Sequence, residues 1–138
     1  MKIDLQRLDY KFNFKPLLIG GKAMEYYDLR KAGEDIDFVI SKEDFAGLSQ
    51  KYPKDVKSLY GDLGVITKGF ELWTSICLFN YDQLVDGAIN QGDFLVIALD
   101  KLLILKALGM KEAKYHKDLE LIVEKILNIQ YGKDSLPK

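Results

Sequence analysis

The chain has 138 residues, of which 48% are apolar and 30% are charged, and its formal net charge is −1. These values are ordinary for a soluble globular protein, and we expect a single domain over residues 1–138. A net charge near zero argues against a nucleic-acid binder that depends on overall electrostatic attraction, although a local basic patch stays compatible with it.

Three features of the sequence favour a soluble, cytoplasmic protein. The first fifteen residues contain no long apolar run of the kind that marks a signal peptide. No apolar stretch approaches the ~18 residues that a membrane-spanning helix requires. Cys77 is the only cysteine, which excludes an intramolecular disulfide and fits a reducing compartment, and we expect it in the core.

The first part of the chain predicts a strand, a helix, a strand and a second helix. Residues 1–15 form a polar lead-in with at most a short helix, and Pro16 opens the first strand. Ser41 is a good N-cap for the second helix, whose first-turn acids Glu43 and Asp44 favour the helix dipole, and Pro53 ends it. The predicted ranges are strand 17–20, helix 22–29, strand 35–40 and helix 42–52.

The rest of the chain predicts a run of strands followed by a pair of helices. Apolar residues recur at helical spacing in two C-terminal segments, and residues 130–138 are expected to form a flexible tail. The predicted ranges are strands 55–60, 63–67 and 69–75, helix 81–88, strand 94–97, and helices around 102–108 and 119–127. Strands interleaved with helices predict an α/β (α+β) fold, a mixed β-sheet with flanking helices and a C-terminal helical pair.

Two carboxylates mark the second strand as a candidate site. Asp35 and Asp37 are two positions apart, so in a strand both point to the same face. Their mutual repulsion should raise a pKa unless a cation lies between them. Oxygen ligands of this kind suit Mg²⁺ or Mn²⁺ rather than zinc. The alternative is a solvated acid pair at the edge of a sheet.

A glycine pair lies between the first strand and the first helix. Gly20 and Gly21 allow the backbone to approach a ligand closely, and the free N–H groups of a helix start face an anion. The alternative is a simple tight turn. Together with the acids, the pair indicates chemistry on a metal ion and a phosphate.

The segment LLIGGKAMEYYDLRKAGEDIDFVI, residues 17–40, resembles the signature of the nucleotidyltransferase (DNA polymerase β-like) superfamily. The likeness is closest to small stand-alone bacterial members and to AbiEii-type toxin relatives, and it extends to about residue 126. It implies transfer of an NMP group from an NTP such as ATP to a hydroxyl on a small molecule, a protein or a tRNA, with two Mg²⁺ or Mn²⁺ ions. Many relatives have serine at the position of Gly21, so here only backbone donors remain.

The resemblance also predicts a third carboxylate on a neighbouring strand. Glu71 lies between Phe70 and Leu72 in an otherwise apolar segment, where the resembling families carry an acid, more commonly aspartate. We therefore expect Asp35, Asp37 and Glu71 to be the metal-binding and catalytic residues, since two metal ions require about three carboxylates. The alternative for Glu71 is a partly exposed residue at an edge.

Basic residues are expected to offset the charge of the triphosphate. Lys22 and Arg30 are near the glycine pair and the acids in sequence, although each is as readily a solvated surface charge. The segment LKALGMKEAKYHKD resembles an AbiEii-like element that assigns Lys106 to the phosphates and Asp118 to orienting that lysine or the acceptor. The alternatives are a solvated lysine and an acid that favours the helix dipole. Lys111 or Lys114 would fill a commonly basic position.

Two rival functions remain open at the level of sequence. A module of the same fold that binds a nucleotide or a partner without turnover would fit Gly21 and Glu71, as in one component of a toxin–antitoxin pair. A regulator acting through protein contacts alone would bind neither metal nor nucleotide. A homodimer or a cognate protein partner would supply the missing wall of a cleft, an expectation that rests on analogy.

Overall fold

The structure is a computed structural model that describes residues 2–137. It contains nine strands and five α-helices, in addition to two short 3₁₀-helices at Leu5–Leu8 and Pro53–Asp55. The strands are β1 (Leu17–Ile19), β2 (Ile36–Val39), β3 (Val56–Leu59), β4 (Asp62–Thr67), β5 (Phe70–Trp73), β6 (Ser75–Ile76), β7 (Phe79–Asn80), β8 (Ile89–Asn90) and β9 (Leu95–Val96). The helices are α1 (Gly20–Tyr26), α2 (Lys42–Lys51), α3 (Tyr81–Leu84), α4 (Leu99–Leu108) and α5 (Lys114–Gln130).

Seven of the strands form one mixed sheet in the order β3–β4–β5–β2–β1–β9–β8. Strand β2 is parallel to β5 and antiparallel to β1, and β1 is parallel to β9. Strands β6 and β7 form a separate hairpin. The predicted mixed sheet with flanking helices is therefore confirmed.

The hydrophobic core lies on both faces of the central strands. Ile36 and Phe38 of β2 alternate with Asp37, and they share their face with Phe70 and Leu72 of β5. The rings of Phe38 and Phe70 are 6.3 Å apart between centroids, and both side chains are completely buried. The opposite face carries Asp37 and Glu71 beside buried apolar side chains, those of Leu17, Ile19, Val39 and Trp73.

The predicted elements occur in the predicted order, but β6, β7 and β8 were not predicted as separate strands, and several boundaries differ. Helix α1 begins at Gly20 and ends at Tyr26, earlier than predicted, because Gly20 turns the chain directly out of β1 with φ +66° and Asp28 adopts φ +60° beyond the helix. Helix α3 stops at Leu84 because the chain turns at Gly87, where φ is +78°. Beyond α5, Asp134 accepts a hydrogen bond from Lys125 (Nζ to Oδ2, 2.8 Å). Within residues 2–137 no helix combines the length and apolarity needed to cross a bilayer.

A buried carboxylate ties the N-terminal segment to α2. Ser41 caps α2 as predicted, but Asp44 is completely buried rather than a solvated acid near the helix dipole. Its oxygens accept hydrogen bonds from Tyr10 Oη (2.9 Å), the backbone N–H groups of Asn13 (2.9 Å) and Phe14 (3.1 Å), and Ser41 Oγ (2.9 Å). Burial and the contact with Asp44 raise the pKa of Tyr10 to about 12. Asp44 therefore fixes the course of the lead-in.

We expect Asp44→Ala to lower the free energy of unfolding by about 2 kcal/mol, because it leaves one buried donor and several partly buried hydrogen bonds without their acceptor. Urea denaturation followed by circular dichroism measures the change. Glu43→Ala removes an exposed acid from the same helical turn and should change stability by no more than about 0.5 kcal/mol. Equal losses in the two variants would contradict this role of Asp44.

Candidate functional site

Two carboxylates lie side by side in the centre of the sheet. Asp37 of β2 and Glu71 of β5 are direct partners in the parallel register, so both side chains leave the sheet on the same face. Both are partly buried, whereas Asp35, the residue before β2, is exposed. The structure therefore places Glu71 beside Asp37, with Asp35 at the outer end of the group.

The environment of Asp37 disfavours its charged form. Burial, followed by repulsion from Glu71 and Asp35, raises the pKa of Asp37 to about 7, and the positive charge of Lys106 offsets only part of this rise. Asp37 Oδ1 is a buried oxygen with no hydrogen-bond partner among the described residues. A buried acceptor without a donor is costly, so this oxygen is suited to a ligand that donates a proton or is a cation.

The two glycines of the predicted pair have different roles. A Cβ atom on Gly20 would lie 2.6 Å from Oδ2 of Asp37, and Gly20 has φ +66°. A Cβ atom on Gly21 would meet nothing closer than Nη1 of Arg30 at 3.5 Å, which is an ordinary contact. Gly20 is therefore required for the carboxylate to occupy its position, whereas a serine at position 21 is sterically acceptable.

An ion cluster joins the chain after α1 to α4 and α5. Asp118 accepts two hydrogen bonds from Arg30, Nε to Oδ1 at 2.6 Å and Nη2 to Oδ2 at 2.8 Å, and Lys106 Nζ lies 2.9 Å from its Oδ2. Burial acts to raise the pKa of Asp118, but the hydrogen bonds and charges of Arg30 and Lys106 outweigh it and lower that pKa. Lys106 is buried, so it is not the solvated lysine of the alternative interpretation. Asp118 is buried as well, and it lies beyond the first turn of α5, which contains no acid.

A cavity of about 470 Å³ connects the carboxylates to this cluster. It brings together most of the predicted residues and adds three from the start of α5, Lys114, Tyr115 and Lys117. Only Lys114 among these three was considered from the sequence. The available signal was helical spacing, because positions 114, 117 and 118 share one face of a helix. The lining residues are Gly20, Gly21, Arg30, Gly33, Asp35, Asp37, Lys106, Lys114, Tyr115, Lys117 and Asp118.

Some predicted residues lie elsewhere. Lys22 and Lys111 do not line this cavity. Glu71 lines a smaller adjoining cavity of about 210 Å³ that also includes Gly20 and Asp37. The carboxylate pair thus forms part of the wall between two cavities.

The expectation for Cys77 is wrong. Cys77 is exposed, in the turn between β6 and β7, where it and Leu78 adopt φ values of +50° and +72°. The two strands of this hairpin lie outside the main sheet, so the turn between them projects towards solvent instead of packing in the core.

The residues fit a hard divalent cation only in part. Among residues 2–137, no three His, Cys, Asp or Glu side chains are grouped closely enough to hold a metal ion as they are arranged. Even so, the unpartnered oxygen of Asp37, its in-register neighbour Glu71 and the oxygen-only donor set match the ligand preference of Mg²⁺. The site therefore offers a carboxylate pair rather than a preformed cage of three acids.

We expect Asp37→Asn to stabilise the metal-free protein at high pH. Since the pKa of Asp37 is about 7 in the folded state against the ordinary 3.8, the folded state holds this proton longer, and its stability falls as pH rises from 4 to 7. The increase in the free energy of unfolding that the variant causes should grow from near zero at pH 4 to about 2 kcal/mol at pH 8. This value is reduced to allow for partial solvent access to Asp37.

Urea denaturation in buffer with EDTA measures this pH dependence. Glu34→Gln, which neutralises an exposed acid three residues away, serves as the control. Its effect on the free energy of unfolding should not follow this dependence on pH. A gain from Asp37→Asn that is the same at pH 4 and pH 8 would contradict the assigned environment.

We expect Gly20→Ala to destabilise the protein by about 2 kcal/mol, because the side chain is strained at positive φ and collides with the Asp37 carboxylate. Gly33→Ala, in the lining of the same cavity, is the matched control because a Cβ atom there meets nothing within 4 Å. Thermal unfolding of the two variants makes the comparison. A Gly20→Ala protein as stable as Gly33→Ala would show that the close approach is not needed.

Comparisons of the chain with protein-family models, with curated proteins and with solved structures find no match. The assignment of a function therefore depends on the geometry and chemistry of the site itself.

Proposed function

We propose that the protein is a metal-dependent nucleotidyltransferase, which transfers an NMP group from an NTP to a hydroxyl acceptor. The observation that carries the proposal is the in-register pair of Asp37 and Glu71, with the unpartnered Oδ1 of Asp37 in the wall of a cavity lined by cations. A partly buried pair of carboxylates lowers the stability of the sheet, and a carboxylate with a raised pKa, such as that of Asp37, is typical of functional sites.

The charges that line the larger cavity support a polyanionic substrate bound together with cations. Four basic side chains, those of Arg30, Lys106, Lys114 and Lys117, face three acids, Asp35, Asp37 and Asp118. The negative charge of a triphosphate exceeds the net positive charge of these lining residues. When bound at the carboxylates, Mg²⁺ or Mn²⁺ would offset the remaining charge and polarise the phosphate being transferred.

The residues of the chain have distinct roles in the proposed reaction. Asp118 holds the guanidinium of Arg30 and the ammonium of Lys106 in fixed positions at the phosphates, so that little reorganisation is needed on binding. Gly20 and Gly21 leave room for the phosphates to approach the backbone. Lys22, which lines neither of the two adjoining cavities, is not included in this set.

The transfer itself is a substitution at the α-phosphorus. The acceptor oxygen forms a bond to that phosphorus, the bond to the bridging oxygen breaks, and pyrophosphate leaves with the electron pair. Glu71 takes the proton of the acceptor hydroxyl, because it lines the smaller cavity and not the larger one, which holds most of the basic residues.

A second candidate function is a module that binds a nucleotide without turning it over. It is favoured by the absence, among the described residues, of three carboxylates close enough for a metal ion. It is also favoured by the engagement of both Arg30 and Lys106 with Asp118. A protein partner or a second copy of the chain, as in a toxin–antitoxin pair, would then be the functional context.

We expect NTP to stabilise the protein only when Mg²⁺ is present, by about 2.7 kcal/mol at a concentration one hundred times Kd. With α-labelled NTPs, including ATP, the wild type should release pyrophosphate and transfer label to a component of a cell extract. Fractionation into small molecules, protein and RNA identifies the class of acceptor.

Matched variants test the assigned carboxylates. Asp37→Asn and Glu71→Gln should lower pyrophosphate release by about 100-fold or more, whereas Glu34→Gln should not. Metal-dependent binding without pyrophosphate release would support the non-catalytic module. NTP binding that does not depend on metal would overturn the transferase, and an absence of NTP binding would overturn both candidates.

A further inference from the structure

The cavity on the Glu71 side has a different chemical character from the cationic one. Its volume is about 210 Å³, and it is lined mainly by apolar residues of β5, the β6–β7 hairpin and α4, including Trp73, Ile76, Leu102 and Leu105. The two cavities share Gly20, Asp37, Lys106 and Tyr115. The larger cavity therefore presents mostly charged residues, whereas the smaller one presents hydrocarbon beside Asp37, Glu71 and Lys106.

The rigid wall of this apolar cavity is Trp73. It lies two residues after Glu71 in β5, on the same face, and its side chain is 6% exposed. On the neighbouring strand, a Cβ atom on Gly64 would come within 2.5 Å of Cε3 of the indole. Gly64 therefore makes room for the ring of Trp73, which in turn limits the position of anything that reaches Glu71 from this side.

The outer wall is the hairpin of β6 and β7. Its position is fixed by Asp62, which accepts hydrogen bonds from Ser75 Oγ (2.7 Å) and from the backbone N–H of Cys77 (3.1 Å). Ile76 is half-buried in the cavity lining, and Cys77 lies beside it with its thiol accessible. The hairpin thus presents an apolar side chain to the cavity and an exposed cysteine at its mouth.

We propose that this cavity takes the body of the acceptor, and that the acceptor is an alcohol whose hydroxyl is carried by an aromatic ring or a short aliphatic group. The inference rests on the proposed nucleotidyl transfer and names the acceptor class of that site. The volume suffices for one ring, since apolar cavities of about 150 Å³ bind benzene. A sugar or an RNA end would bury its other hydroxyls against hydrocarbon without partners, which is unfavourable.

The same arrangement separates the two substrates. The phosphates of the NTP occupy the cavity with Arg30 and Lys106, and the hydroxyl reaches the α-phosphorus from the side of Glu71. The acceptor oxygen gains the bond to phosphorus, pyrophosphate leaves, and the proton passes to Glu71. Trp73 and Ile76 contact the body of the acceptor and so determine its specificity.

The thiol of Cys77 gives a test that needs neither NTP nor metal. Because Cys77 is the only cysteine in the chain, the rate of its reaction with Ellman's reagent reports occupation of the cavity. We expect saturating p-cresol or butanol to slow this reaction by about tenfold, and ribose or glycerol at the same concentration to leave it unchanged. Equal protection by ribose, or no protection by the apolar alcohols, would overturn the proposal.

Filling the cavity tests its place in the reaction. Ile76→Trp alters a hairpin outside the main sheet. Leu78→Trp, at an exposed position of the same hairpin that does not line the cavity, is its control and should leave release unchanged. We expect Ile76→Trp to retain Mg²⁺-dependent NTP binding but to lose pyrophosphate release stimulated by p-cresol. Attaching a pyrene maleimide to Cys77 should have the same effect without a change in sequence, and Cys77→Ser treated in the same way should not.

The outcomes separate the two proposals. Loss of NTP binding in both blocked proteins would mean that the cavity holds the nucleobase, and it would overturn the assignment of the acceptor. Unchanged alcohol-stimulated release in both would also overturn it. If the wild type binds no NTP, the proposed function fails, while protection of Cys77 still decides which chemical class the cavity accepts.

Discussion

The repulsion between two carboxylates held in register on adjacent parallel strands is the constraint on which the site depends. The hydrogen bonds of the ladder between β2 and β5 fix the backbones, so Asp37 and Glu71 cannot separate without loss of the central sheet. Gly20 also constrains Asp37, because the Asp37 carboxylate occupies the space that a side chain at position 20 would fill. The folded state thus retains an unfavourable charge pair, and a bound cation or proton relieves it.

Interactions elsewhere in the molecule offset the repulsion between Asp37 and Glu71. On the opposite face of the sheet, the aromatic core around Phe38 and Phe70 is completely buried. Hydrogen bonds from Tyr10, Asn13 and Phe14 to Asp44 hold the N-terminal segment against the start of α2. These contacts lie away from the carboxylates, so the fold remains intact while Asp37 carries an unpartnered oxygen.

The two C-terminal helices supply side chains that line the cavities beside the carboxylates. Helix α4 contributes Lys106 and the apolar residues Leu102 and Leu105, and α5 contributes Asp118. A cavity lined mostly by charged residues and a cavity lined mainly by apolar residues therefore adjoin at Asp37. An arrangement of this kind suits a reaction between a polyanion and an apolar partner more readily than the binding of a single ligand, because each partner has a complementary wall.

The sequence predicts the order of the main elements, the mixed sheet and the facing of Asp37, because the period of two in a strand and the capping of a helix by Ser41 are local properties. It does not predict which glycine is essential, since Gly20 and Gly21 differ only in the backbone angle and in the approach of Asp37. It predicts Asp44 and Asp118 no further than as helix acids or residues implied by a resemblance, because Asn13 and Arg30, which hold them, lie 31 and 88 positions away. The folded chain alone shows that Cys77 is exposed, that Lys22 lies outside the two adjoining cavities and that Trp73 lines the cavity of Glu71, because burial and charge pairing depend on contacts between segments that are distant in the chain.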